Sequence, residues 1–287
     1  MDQTPLDVVG VLAEAGCVAA PEEADELIRA AEGDREVLDD LVSRRSMGEP
    51  LAWLTGATTF CGLRLAVTPG VYVPRPQTEP LARRAASFLP PKGAAVDLCT
   101  GAGAIAAVLS AAVPSAHVVA TDLDVDAVRC ARRNGVEAFE GFLDDPLPRE
   151  LERTVDVMTA VAPYVPTDSI RLLPPDVQAF EPRLALDGGA EGTDLLVAVV
   201  RRSTRWLRPG GGLCLELGGD QADPIGRSLL DAGFGELDVM VDDDGDTRAI
   251  CARLGRSSPR REPKPQSQRS ICGKPAVPRI SFSSPQW

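Results

Sequence analysis

Apolar positions change their period along the chain, and each change marks a different kind of structure. Over residues 1–56, Leu6, Val9 and Leu12, then Leu27 and Ala30, then Val37, Leu38, Leu41 and Val42 recur at three- and four-residue spacing, which predicts a small N-terminal helical domain. Residues 57–72 alternate and carry Gly62 and Pro69-Gly70, as a β-hairpin connector does. From 73 to 254, short apolar runs alternate with helical patterns. An α/β fold is therefore predicted there, a doubly wound sheet with its ligand at the carboxyl ends of the strands. Residues 255–287 are rich in Pro, Ser and Arg and have no apolar period, so they are expected to be a disordered basic tail.

Within the α/β region, Val-Asp-Leu-Cys-Thr-Gly-Ala-Gly (96–103) followed by Ile105, Ala106 and Val108 reads as strand, glycine turn and helix. Such a turn lets main-chain N–H groups approach a ligand closely. Gly101-x-Gly103-x-x-Ala106 also satisfies the dinucleotide fingerprint, and Asp122 closes a second apolar run, 117–121. There its carboxylate can accept two ribose hydroxyls. A nucleoside-bearing ligand is expected, with its class left open by the turn alone. Val155–Met158 then reads as a buried strand running into Thr-Ala-Val-Ala-Pro-Tyr-Val-Pro (159–166).

Charge and composition narrow the class. The net charge is −12, yet beyond residue 255 seven basic residues face Glu262 alone, a net of +6, which leaves −18 on residues 1–255. Broad phosphate-backbone binding by the folded part is disfavoured, since that affinity rests on Lys and Arg. There is no eighteen-residue apolar run and the first residues are not basic, so neither a membrane span nor a signal peptide is expected, and the location expected is cytoplasmic. The seven cysteines form no C-x-x-C pair, which suggests neither a zinc site nor a disulfide framework. His117, the one histidine, falls at the start of a strand and is read as a strand-edge residue. The acidic run 242–246 fails the calcium-loop frame, because placing Gly245 at the loop glycine puts Met240 at position one and Cys251 at position twelve.

Several motifs in order resemble the release factor glutamine methyltransferases. These are Glu49-Pro50-Leu51-Ala52-Trp53-Leu54-Thr55-Gly56, Val73-Pro74-Arg75-Pro76-Gln77-Thr78-Glu79, the turn after Asp97, Val161-Ala162-Pro163-Tyr164-Val165-Pro166, Glu181-Pro182-Arg183-Leu184-Ala185-Leu186, and Leu215-Glu216-Leu217-Gly218. The resemblance implies a class I S-adenosylmethionine-dependent methyltransferase with a Rossmann-like seven-stranded sheet whose last strand is antiparallel. It implies S-adenosyl-L-methionine as cofactor and a class 1 peptide chain release factor as protein substrate, methylated on the N5 amide nitrogen of the Gly-Gly-Gln glutamine. By the same resemblance Asp97 and the turn Thr100, Gly101, Ala102 and Gly103 would hold the methionine part, Asp122 the ribose, and Phe142 with Leu143 the adenine. Val161, Ala162, Pro163 and Tyr164 would frame the acceptor amide.

Three positions depart from the family pattern: Cys99 replaces the first turn glycine, Gln77 a glutamate, and Val161 the asparagine of Asn-Pro-Pro-Tyr. Cys99 is tolerable if that position needs no positive φ. Val161 matters more. In the family, the Asn oxygen accepts one amide hydrogen and a neighbouring main-chain carbonyl accepts the other, and valine has no acceptor. Loss of one such contact costs roughly 100- to 1,000-fold in rate, by analogy with an oxyanion-hole donor. The alternatives are a same-fold methyltransferase acting on another acceptor such as a small metabolite, and a catalytically impaired S-adenosylmethionine-binding protein.

Overall fold

In the computed structural model, which describes residues 7–256, the chain opens with α1 (Val8–Glu14), α2 (Ala20–Ala30), α3 (Arg35–Ser46) and the single turn α4 (Leu51–Leu54). Leu6 and the tail from residue 257 onward lie outside the described residues. Asp7 and Asp34 cap α1 and α3 by accepting free first-turn N–H groups. The faces these helices bury differ by a step from the sequence expectation. Val8 and Leu12 of α1, Ala24 and Leu27 of α2, and Leu41 and Val42 of α3 form the shared core, while Val9 and Val37 point to solvent. A 3.6-residue period tolerates that one-position shift on a short helix, so the helices are legible in the sequence and the exact stripe is not.

β1 (Ala57–Phe60) and β2 (Leu63–Ala66) form an antiparallel hairpin. Asn134 fastens its far end: its amide donates to the carbonyls of Ala66 and Ala102, and its oxygen accepts from Ala66 N at 2.7 Å. Then come α5 (Glu79–Ala86), β3 (Ala94–Leu98), α6 (Ala104–Ala112), β4 (His117–Asp122), α7 (Val125–Arg133), β5 (Glu137–Glu140), β6 (Val155–Ala160), α8 (Pro175–Phe180), α9 (Asp194–Trp206), β7 (Leu207–Glu216), α10 (Ala222–Asp231), β8 (Phe234–Val241) and β9 (Thr247–Leu254).

The sheet has seven strands in the order β5-β4-β3-β6-β7-β9-β8. Pairs from β5 through β7 are parallel, and β9 runs antiparallel to both β7 and β8. Every residue of β6 is buried, Asp156 and Thr159 included, as befits a central parallel strand covered on both faces. Helices cover both faces. α9 lays Leu196, Val199, Val200 and Trp206 into the core on one face, while α5 and α6 bury Leu81, Ile105 and Leu109 on the other. The order places a topological switch between β3 and β6, because the chain builds outward from β3 to β5 and then returns to the other side of β3. The carboxyl ends of these two strands diverge into a crevice, the place where doubly wound sheets bind ligands. No helix among the described residues is long and apolar enough to cross a membrane.

Candidate active site

At the switch point lies a cleft open to solvent, formed where the carboxyl ends of β3, β4 and β6 meet the segments that follow them. Asp97, Thr100, Gly101, Ala102, Asp122, Phe142, Leu143, Val161, Ala162, Pro163 and Tyr164 all line it. Gly103 does not. It caps α6 at φ 81°, and a Cβ there would stand 2.9 Å from the Cβ of Ala131, so this glycine permits α6 and α7 to approach.

Two acids end adjacent strands on one side. Asp97, buried at the end of β3, accepts from Thr100 Oγ1 and from Thr159 Oγ1, each at 2.6 Å. Thr159 belongs to β6, so this carboxylate ties the two strands together where they separate. Burial pushes its pKa up to about 6, against the pull of the two threonine hydroxyls. Asp122, at the end of β4, accepts from Gly101 N at 2.8 Å and from Asp124 N at 2.9 Å. Burial raises its pKa as well, opposed by those N–H groups. Each Asp122 oxygen keeps a lone pair beyond these bonds. Phe142 is exposed with the Arg202 guanidinium 5.2 Å from its ring, and Leu143 is buried.

The condition set for Cys99 fails. Its φ is 53°, in the left-handed region that glycine visits freely and that costs other residues on the order of 1–2 kcal/mol. The turn thus keeps the conformation of a glycine turn at the expense of strain in a cysteine. Burial also raises the thiol pKa, reinforced by the charges of Asp122 and Asp97, so Cys99 lines the cleft as a neutral thiol.

Opposite stands the segment 161–164. Val161 lines the cleft and packs partly on the core beside α6. Among the described residues, no N–H donates to the carbonyl of Val161 or Ala162. The chain beyond Ala162 is tightly held. Gln221 donates to the carbonyls of Tyr164 (2.8 Å) and Gly192 (3.1 Å) and accepts from Gly218 N. A Cβ on Gly188 would lie 2.6 Å from the carbonyl oxygen of Pro163, so a glycine at this position permits the close approach of two main chains. The Tyr164 hydroxyl donates to Glu216 Oε1 at 3.1 Å, and Thr78 Oγ1 donates to Glu216 Oε2 at 2.6 Å. Burial raises the Glu216 pKa, against the two hydroxyl donors.

Glu216, Thr78 and Gln221 therefore fix the wall of the cleft formed by the segment 161–164, although the sequence reading assigns none of them a role. One signal could have found Glu216. It ends an apolar strand as Asp97 and Asp122 do, and an acid closing a buried parallel strand lands at the ligand end of the sheet. Thr78 and Gln221 carry no comparable local mark. Beyond them, Arg75 pairs with Glu181 and lies 5.1 Å over the ring of Tyr72. His117 sits at the opposite end of β4 from Asp122, exposed and 3.2 Å from Glu137. The acidic run 242–246 is a turn between β8 and β9 in which Asp242 accepts from Asp244 N and Asp246 N and pairs with Arg248.

Comparison with known proteins agrees with this geometry. Residues 78–140 match the family model described as "Methyltransferase small domain". The release factor glutamine methyltransferase of Geobacter sulfurreducens is 36% identical over 221 residues, covering 75% of this chain and 77% of that protein. The 4-amino-L-phenylalanine/4-methylamino-L-phenylalanine methyltransferase of Streptomyces pristinaespiralis is 35% identical over 241 residues, covering 75% and 82%. Among solved structures, a methyltransferase from Pyrococcus furiosus superposes with a TM-score of 0.51 at 20% identity, covering 68% of this chain and 90% of that one, a likeness of fold alone.

Proposed function

The chain belongs to the release factor glutamine methyltransferase family, and on that premise we propose that it transfers a methyl group from S-adenosylmethionine to the N5 amide nitrogen of the Gly-Gly-Gln glutamine in a class 1 peptide chain release factor. The observation that carries the reading is the cleft at the β3/β6 switch, with carboxylates at one wall and the braced segment 161–164 at the other. The donor set fits the cofactor's chemistry. Its sulfonium and ammonium are cationic, and Asp97, Asp122 and Asp124 line the cleft beside the apolar surfaces of Phe142 and Leu143. When bound, it supplies an electrophilic methyl group.

The residues divide the remaining work. Asp97 with the turn residues 100–102 orients the methionine part, Asp122 takes the ribose hydroxyls, and Phe142 with Leu143 covers the adenine. The carbonyl of Ala162 accepts one hydrogen of the acceptor amide, and Glu216 holds the Tyr164 ring against the amide plane. An amide nitrogen is a poor nucleophile because its lone pair is delocalised, so fixing its N–H bonds for in-line attack is the main task. No side-chain base is needed, because the methylated amide cation gives its proton to water.

We take residues 1–56 as a helical domain, 57–72 as connector and 73–254 as the transfer domain, acting in the cytoplasm on a protein without direct contact to nucleic acid. A second reading, transfer to a small amine, is favoured by one observation: Val161 supplies no acceptor for an amide hydrogen. One experiment separates the two. With labelled S-adenosylmethionine and purified release factor, mass spectrometry should find one added methyl on the Gly-Gly-Gln glutamine. Cofactor binding without that product, but with transfer to a small amine, would replace the first reading by the second.

A further inference from the structure

The turn after β5 carries two residues that line the cleft, Phe142 and Leu143, and it is held by a distant helix. Within the turn, Gly141 N donates to the carbonyl of Asp122 at 2.9 Å and Asp145 N to that of Phe142 at 3.1 Å. Asp144 is buried, and both its carboxylate oxygens reach α9. Oδ1 accepts from the Arg202 guanidinium at 2.6 Å and Oδ2 from Trp206 Nε1 at 2.7 Å. Arg202 also donates to Asp145 Oδ1 at 2.7 Å and stands 5.2 Å from the centre of the Phe142 ring. Arg202 and Trp206 are four residues apart on α9, so they share one face of that helix. Three bonds from α9 thus grip the two residues that directly follow Phe142 and Leu143.

Two features indicate what the grip serves. Leu143 has φ 48°, in the left-handed region, where a residue other than glycine persists only if its surroundings hold it. Phe142 is 40% exposed while lining a cleft. Burial alone would favour covering so large an apolar ring, and an aromatic ring kept open in a cleft offers a flat surface on which another ring can stack. Because α9 is itself packed through Leu196, Val199 and Val200, the turn takes its position from the core. Arg202 to Asp144 is a charge-assisted bond, among the stronger kinds, so the strained turn is held where it meets the cleft.

We propose that Asp144, held by Arg202 and Trp206, is a positioning residue that fixes the turn 141–145 so that Phe142 and Leu143 meet the adenine; this rests on the functional reading of the cleft as an S-adenosylmethionine site. The contribution is confined to the base, since Asp97 and Asp122 are held by bonds of their own. Arg202→Met tests it, because it removes the guanidinium from a partly exposed position and leaves Asp144 its bond from Trp206. Two ligands are compared: S-adenosylhomocysteine by calorimetry, and S-ribosylhomocysteine, which keeps the sugar and amino-acid parts but lacks the base, by displacement of labelled S-adenosylmethionine. The expected result is roughly tenfold weaker binding of S-adenosylhomocysteine, with S-ribosylhomocysteine affinity and melting temperature near wild type.

In turnover, the KM for S-adenosylmethionine should rise by a similar factor while kcat and the KM for release factor hold. Arg202→Lys keeps a cationic donor for Asp144 and should recover most of the loss. Asp144→Asn is the second variant. Combined with Arg202→Met it should add little, because both changes break the same bond. A purely structural role would loosen the whole cleft and weaken both ligands together. Equal losses for the two ligands, or unchanged S-adenosylhomocysteine affinity in the folded variants, overturns the positioning role and leaves the functional reading intact. Failure of the wild-type chain to bind S-adenosylhomocysteine at all overturns both.

Discussion

On one wall of the cleft, Asp97 and Asp122 have their carboxylates held by bonds from Thr100, Thr159, Gly101 N and Asp124 N before any ligand arrives. On the other wall the loop is braced just as firmly through Gln221 and Glu216, yet the side chain at its head, Val161, offers no polar atom. The first wall is finished in both geometry and chemistry, and the second in geometry only. Preorganised dipoles serve a reaction because they need no rearrangement when charge develops. Rigidity without the acceptor keeps the acceptor pocket's shape and gives up part of its electrostatics. On the proposed function, cofactor binding and acceptor activation fall to walls that can be perturbed separately.

The sharpest way to break that separation is at the cofactor wall. Asp122→Ala should weaken S-adenosylmethionine binding by about 1.5 to 3 kcal/mol, the range for a hydrogen bond to a charged group. Calorimetry on a variant shown to be folded by its melting curve decides the point. Unchanged affinity would remove Asp122 from the site, and tight NAD binding in place of S-adenosylmethionine would overturn the cofactor.

A smaller effect should come from Asp97. Its pKa of about 6 lies above the ordinary 3.8, so the unliganded fold binds a proton more readily than the unfolded chain. Its contribution to stability is present at low pH and falls as pH rises through that window. Affinity for a cationic cofactor should move the opposite way, because ionised Asp97 attracts it. Between pH 7 and pH 5 affinity should drop about tenfold, and Asp97→Asn should flatten the dependence. A flat profile in the wild type would mean that Asp97 does not sense the cofactor's charge.

Much of this is legible in the residues, and the limits have physical causes. Strand ends and the glycine turn are visible because an apolar run closed by an acid has few other uses, and eleven of the twelve residues assigned to the site from sequence share one cleft. Gly103 is the exception, since a glycine needed for helix packing looks the same in sequence as one that admits a ligand. Cys99 cannot be judged without φ, a property of the main chain. Glu181 shows only as part of a motif. Its pairing with Arg75 spans 106 residues, a separation that no local pattern encodes.

The most direct test of the division between walls is Val161→Asn, with cofactor affinity and release-factor methylation measured on the same preparation. The expected result is an unchanged S-adenosylmethionine Kd with kcat on release factor raised roughly threefold or more, because an acceptor that strengthens as nitrogen becomes tetrahedral acts on the transition state above all. A folded variant that binds cofactor and release factor normally and gains no glutamine methylation would contradict the division and the amide acceptor with it.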